Sequence, residues 1–130
     1  MPTSYNIDRN RRLVQGGITG IFTQAEAIAL NARLKADPQF DPTFRSVWDL
    51  TAVTAFALTG NAVRALAQRS VFAPTARCAF VEANDVGYGL GRMFATLREC
   101  AGAPHVAVFR DTAAAWRWLE ARDPVAATPQ

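Results

Sequence analysis

The stretch 84-NDVGYGLGRMF-94 sets glycine at every second position (Gly87, Gly89, Gly91) just ahead of Arg92. Two architectures compete for such a pattern, a phosphate-binding loop and the opening turns of a helix. A dinucleotide fingerprint needs G-x-G-x-x-G directly after a strand. Counted from Gly87 or from Gly89, the third glycine's place falls on Arg92 or on Phe94. A Walker-type loop needs Gly-Lys-Ser/Thr, which is also absent. The helical reading accounts for more residues. Asn84 or Asp85 supplies an N-cap, and a 3.6-residue period brings Val86, Leu90, Met93, Phe94, Leu97 and Ala101 onto one face, the expected core stripe. Gly87, Gly91 and Ala95 line its margin, where small residues admit a close neighbour. Tyr88 and Arg92 lie four apart on the opposite face, as a cation–π pair or a patch for a partner.

Working outward, SYNID (4–8) and RLVQGGITGIF (12–22) read as a β-hairpin turning at Asp8-Arg9-Asn10, with Gly16-Gly17 allowing a bulge or sharp twist. Thr23-Gln24-Ala25-Glu26 is a capping box. It opens a helix to about Ala36 with Ala27, Leu30 and Leu34 as its stripe and Ile28 at the margin. Asp37-Pro38 ends that helix. FDPTF (40–44) is a loop, and RSVWDL (45–50) a short buried strand. Thr59 caps a second helix carrying Val63, Leu66, Ala67 and Ser70 on one face. ARCAFVEA (76–83) and HVAVFR (105–110) are apolar strands on either side of the glycine-rich helix. Asp111 caps a last helix, TAAAWRWLEAR. Residues 1–122 form one domain in this reading, and 123–130 a flexible C-terminal tail. The expected class is α/β, with a mixed sheet of about five strands (the hairpin, then parallel βα units) and four helices.

The chain has 130 residues, half of them hydrophobic and 19% charged, enough for one ordinary core. No apolar run reaches the length of a membrane span, and the polar N-terminus does not resemble a signal peptide. A cytoplasmic protein is expected. The net charge of +3 comes mostly from arginines scattered among acids, clustered only at Arg9, Arg11 and Arg12. Specific nucleic-acid binding is not expected from such a distribution. Cys78 and Cys100 lack metal-type spacing, and the single histidine, His105, starts an apolar strand at its amino end. No metal site or cofactor is expected, and no nucleophile has an evident base.

The order of elements resembles the STAS domain, the fold of SpoIIAA-like anti-sigma-factor antagonists. VWDLTAVTAF (47–56) is similar to that family's strand-end DLS-x-V segment through Asp49, Leu50, Thr51 and Val53. Tyr88-Gly89-Leu90-Gly91-Arg92-Met93 and Ala115-Trp116-Arg117-Trp118-Leu119 resemble the YG-x-x-RM and A-x-x-WL segments of small stand-alone members, which are also compared with the SEC14-like lipid-binding fold. Antagonists that switch by phosphorylation carry D-S-S-G before the second helix. Here the stretch is Ala57-Leu58-Thr59-Gly60, with Leu58 at the phosphoserine position and Ala57 in place of the acid. The phosphoserine switch is therefore not expected.

Two functions follow as expectations. The first is a non-catalytic STAS-like regulatory or interaction module that binds a protein partner or itself through Tyr88 and Arg92. The alternative is a carrier or sensor of a small apolar molecule or lipid. Its apolar contacts would come from Phe44, Phe56 and Leu58, placed in loops with Phe40. Its polar contacts would come from the strand carboxyl ends, where α/β folds bind ligands, at Asp49, Thr51, Asn84 and Asp85. Asp49 and Asp85 also form the only candidate acid/base pair, and an enzyme is not expected.

Overall fold

The computed structural model describes residues 3–121. The segment 123–130, read from the sequence as a flexible tail, lies outside the described residues. Five strands and four helices follow one another as β1 (Thr3–Asp8), β2 (Leu13–Thr23), α1 (Gln24–Ala36), β3 (Arg45–Ala57), α2 (Gly60–Gln68), β4 (Cys78–Val81), α3 (Asp85–Cys100), β5 (Val106–Phe109) and α4 (Thr112–Glu120). The strands lie in sequence order in one sheet, β1 antiparallel to β2 and every later pair parallel. This is the expected mixed α/β sheet.

The helix starts obey local chemistry. Oγ1 of Thr23 accepts from the Glu26 amide at 3.2 Å, and Oγ1 of Thr59 accepts from the Ala62 amide at 3.1 Å. Oδ1 of Asp111 does the same for Ala114 at 2.8 Å. Each cap satisfies an amide that the helix itself cannot reach. In the hairpin the turn sits slightly later than expected. Asp8 Oδ1 accepts from the Arg11 amide at 3.1 Å, and Arg12 takes the left-handed conformation at φ 52°.

Alternation along the strands divides the core. Val47, Ala79 and Val81 face α4, meeting Ala115 and Leu119. Their neighbours Trp48, Leu50 and Cys78 face the other layer, with Leu30 and Leu34 of α1 and, at its edge, Leu66 of α2. Phe94 of α3 meets Phe80 edge-on at 5.6 Å on that same side. Three helices therefore cover one face of the sheet and one helix covers the other.

β3 is longer than the six-residue strand expected at 45–50; it runs on to Ala57 beside β2. The register shifts twice along this pair. Gly17 faces Asp49 but Thr19 faces Ala52, and Gly20 faces Val53 but Ile21 faces Ala55. Each shift inserts one extra residue into β3, and an extra residue reverses the side on which the following side chains lie. Leu50, Val53 and Phe56, spaced by three, consequently all join the same core layer. A spacing of three looks unlike a strand, so the sequence pattern ends the strand too early. Phe56 is thus a strand residue and not a loop residue.

Gly16 marks the tightest approach within the sheet. It pairs with Trp48 across β2 and β3 and with Tyr5 across the hairpin. A Cβ added there would overlap the Trp48 ring and lie 2.8 Å from the Ser4 carbonyl oxygen. Gly16→Ala is expected to lower stability by about 2 kcal/mol through overpacking, measured as a fall in the denaturant midpoint at unchanged slope. An unaltered midpoint would show that the Trp48 ring can move aside.

Candidate functional site

On the three-helix side the core does not close completely. A cavity of about 130 Å³ opens between the sheet and helices α1, α2 and α3. Trp48 and Phe80 contribute from the sheet, Leu66 from α2, Phe94 from α3, and Phe56 and Leu58 from the end of β3. The bulged β2–β3 ribbon explains the last two. It extends past the end of β4 and carries Phe56 against Phe22, with the rings edge-on at 6.4 Å.

Glu82 follows directly after β4, and its amide donates to the Phe109 carbonyl at 2.9 Å. Alternation sends its side chain to the same side as Phe80, where it lines the cavity while only 3% exposed. No hydrogen-bond partner within the described protein reaches its Oε1. α3 makes room for it with glycine. A Cβ on Gly87 would sit 2.5 Å from Glu82 Oε1 and 2.5 Å from Phe56 Cζ. A Cβ on Gly91 would sit 3.1 Å from Glu82 Oε2 and 3.0 Å from a Val108 methyl. Burial pushes the Glu82 carboxyl up to about 7, with Arg110 acting weakly in the other direction.

Arg110 is engaged elsewhere. Its guanidinium lies 4.2 Å from the centre of the Tyr88 ring, meets Asp85 Oδ1 at 2.8 Å and donates to the Ala83 carbonyl at 3.3 Å. At another part of the cavity wall Arg98 donates to the carbonyls of Ala67 and Phe72 at 3.2 and 3.3 Å, tying α3 to the end of α2. Cys78 also lines the cavity, and desolvation raises its thiol to about 11.

The residues singled out from sequence fall in separate places. Phe56 and Leu58 line the cavity. Phe44 is 3% exposed in the core, with the Arg12 guanidinium 5.2 Å from its ring centre, and is not part of the cavity wall. Asp49 is exposed, and its neighbours Trp48 and Leu50 point to the cavity side, so its own side chain faces away. Asp49 Oδ1 accepts from the Thr51 amide and hydroxyl at 2.9 and 2.6 Å. Asn84 caps α3, accepting from the amides of Val86 and Gly87 at 2.7 and 3.2 Å, while Asp85 pairs with Arg110.

α3 is also rotated from its expected setting. Gly87 and Gly91 are its buried residues, and Val86, assigned to the core stripe, is 61% exposed. The buried carboxyl and Phe56 occupy the space that a larger side chain would take, so the smallest residues face the sheet. Tyr88 stacks with Arg110 instead of Arg92, which stands exposed. Glu82 is the residue that the motif reading passed over. Its signal lay in CAFVE, where strand alternation puts Glu82 on the same side as Phe80, opposite two glycines four apart.

No protein-family model and no curated protein matches the sequence. Among solved structures, the fold is similar to that of an uncharacterised protein of the DUF3478 family with a SpoIIAA-like fold from Shewanella loihica PV-4. The two share 15% identity and a TM-score of 0.58, over 90% of this chain and 93% of that one. The fold is thus SpoIIAA-like, the architecture that the STAS resemblance implies. Among the described residues no helix is long and apolar enough to cross a membrane.

Alanine substitutions separate two of the glycines of α3. Gly89 has no atom within 4 Å of an added Cβ, so Gly89→Ala is expected to stabilise by up to about 1 kcal/mol. Gly87→Ala meets Phe56 and Glu82 and is expected to destabilise by about 1–3 kcal/mol. Stabilisation by both in denaturant titrations would rule out the close approach of α3 to the sheet.

The Glu82 carboxyl also predicts a pH slope. Its folded pKa lies above its ordinary value of 4.5, so between about pH 4.5 and 7 the native state binds more protons than the unfolded state. Stability contributed by this group is present at low pH and falls as pH rises through about 7. Glu82→Gln is expected to flatten that part of the curve and to gain relative stability at pH 8. Parallel curves for the two proteins would contradict the burial of an ionisable carboxyl.

Proposed function

We propose that this SpoIIAA-like domain is a non-catalytic carrier or sensor of a small apolar molecule held between the sheet and helices α1–α3. The observation supporting this reading is the cavity. Packed interiors leave few voids larger than a water molecule, and an engineered apolar cavity of about 150 Å³ in another protein binds benzene. The 130 Å³ space is of the same order. It suits a single ring or a short branched chain better than a two-chain lipid. Cys78 does not supply a nucleophile there, because a thiol raised to about 11 stays protonated near neutral pH.

The interaction-module reading rests on Tyr88 and Arg92. Tyr88 is already stacked with Arg110 in the same molecule, which leaves the cavity as the better-supported site.

Benzene is the simplest probe. Binding to the native state alone raises stability by RT ln(1 + [L]/Kd), about 2.7 kcal/mol at a hundredfold excess over Kd. A rise in Tm with benzene, together with shifted methyl NMR signals from Leu58, Leu66 and Leu90, is the expected result. Unchanged methyl signals at saturating benzene would overturn the proposal.

A further inference from the structure

We infer that the molecule held in the cavity carries a hydrogen-bond donor, a hydroxyl or an amine on an apolar body, and that Glu82 accepts from it. This rests on the reading of the cavity as a ligand site and names the class of ligand. Buried polar groups find partners in nearly all native proteins, and one left without a partner calls for an explanation. Glu82 is 3% exposed, its Oε1 has no partner among the described residues, and its side chain forms part of the cavity wall.

The other polar groups on that wall are differently placed. Asn31 of α1 is half-buried, opens also onto the groove between α1 and α2, and does not reach Glu82 Oε1. Arg98 is engaged by the carbonyls of Ala67 and Phe72, and Ser70 Oγ accepts from the Phe72 amide at 3.3 Å. Arg110, the cation nearest in influence to Glu82, is held by Asp85, Tyr88 and the Ala83 carbonyl. α3 brings no donor toward the carboxyl at its two nearest positions, because Gly87 and Gly91 face it there without side chains. A donor from outside the protein is what this corner of the cavity lacks. An apolar body against the Phe56 and Leu58 side and a donor at Glu82 would match both chemistries of the wall.

Phenol and toluene test this, since they share a ring and differ by a hydroxyl in place of a methyl. Without an acceptor, a buried hydroxyl costs binding, so an apolar cavity alone prefers toluene. The wild-type protein is expected to bind phenol at least as tightly as toluene, by calorimetric or NMR titration. At pH 8, above the value of about 7 to which burial pushes the carboxyl, the preference in Glu82→Leu is expected to move toward toluene by about tenfold or more, the weight of a hydrogen bond to a charged group.

The outcomes divide cleanly. Toluene bound more tightly than phenol by the wild type overturns the inference and leaves the cavity reading standing. An equal preference in wild type and Glu82→Leu does the same. Binding of neither compound overturns the cavity reading and the inference with it. The wild-type comparison decides the matter alone if Glu82→Leu does not fold.

Discussion

A carboxyl group wedged between the end of β4 and helix α3 sets how the three-helix side of this domain packs. Glu82 points into that layer because strand alternation leaves it no other side, and it is too large to share the space with an ordinary helix surface. α3 accommodates it by presenting backbone, with Gly87 over one carboxylate oxygen and Gly91 over the other. Each glycine costs roughly 1 kcal/mol of helix propensity relative to alanine. The Asn84 cap offsets part of that cost at the first turn. The same absence of side chains admits the Phe56 ring, so one pair of glycines positions both the polar and the apolar wall of the cavity.

Phe56 reaches that point through the irregular pairing of β2 with β3. A regular strand of this length would alternate Leu50, Ala52 and Thr54 toward the helices and leave Val53 outside. The two extra residues in β3 bring Leu50, Val53 and Phe56 to one side instead. Gly20 lies beside the second shift with φ 71°, a conformation that glycine adopts without strain. The ribbon runs past the end of β4, where Phe56 and Leu58 line the cavity. Arg98 ties α3 to the Ala67 carbonyl of α2 and to the Phe72 carbonyl in the segment that follows α2.

How much of this could be read in the sequence follows the range of the interactions involved. Thr23, Thr59 and Asp111 were legible as caps, and Asn84 as one of two candidates with Asp85, because a cap depends on amides two or three residues away. The order of strands and helices was legible from period and turn residues, and the STAS resemblance agreed with it. The length of β3 was not, since a bulge breaks the period-two pattern on which strand recognition rests. The rotation of α3 was hidden for a related reason. A hydrophobic stripe points a helix by its largest apolar residues, whereas here a buried acid and an aromatic ring from other elements favour its glycines. Of the proposed ligand contacts, Phe56 and Leu58 come together at the cavity, whereas Phe44, Asp49 and Thr51 are carried elsewhere by packing and by strand face. Glu82 was visible as a residue at a strand end on the same side as Phe80; that this is the cavity side depended on how α3 packs over the sheet.

The position of Glu82 is hard to explain by stability alone. An apolar residue of similar volume would fill the same space without desolvating a carboxyl, and burial has already pushed this one up to about 7. The two glycines opposite it add a further cost, since an alanine in a helix interior is better than a glycine where room permits, and Phe56 and Val108 as well as Glu82 take that room here. The arrangement thus carries two unfavourable local choices that compensate each other sterically and leave an oxygen without a partner. Local rules broken together at one place, beside a cavity, are the pattern expected of a site shaped by what it binds. Arg98 makes the contrast within the same molecule. It also touches the cavity, yet its guanidinium is satisfied by two carbonyls and serves to hold helices together. Of these two charged groups on the wall, one is explained by the fold, and the other is the group on which the proposed ligand contact rests.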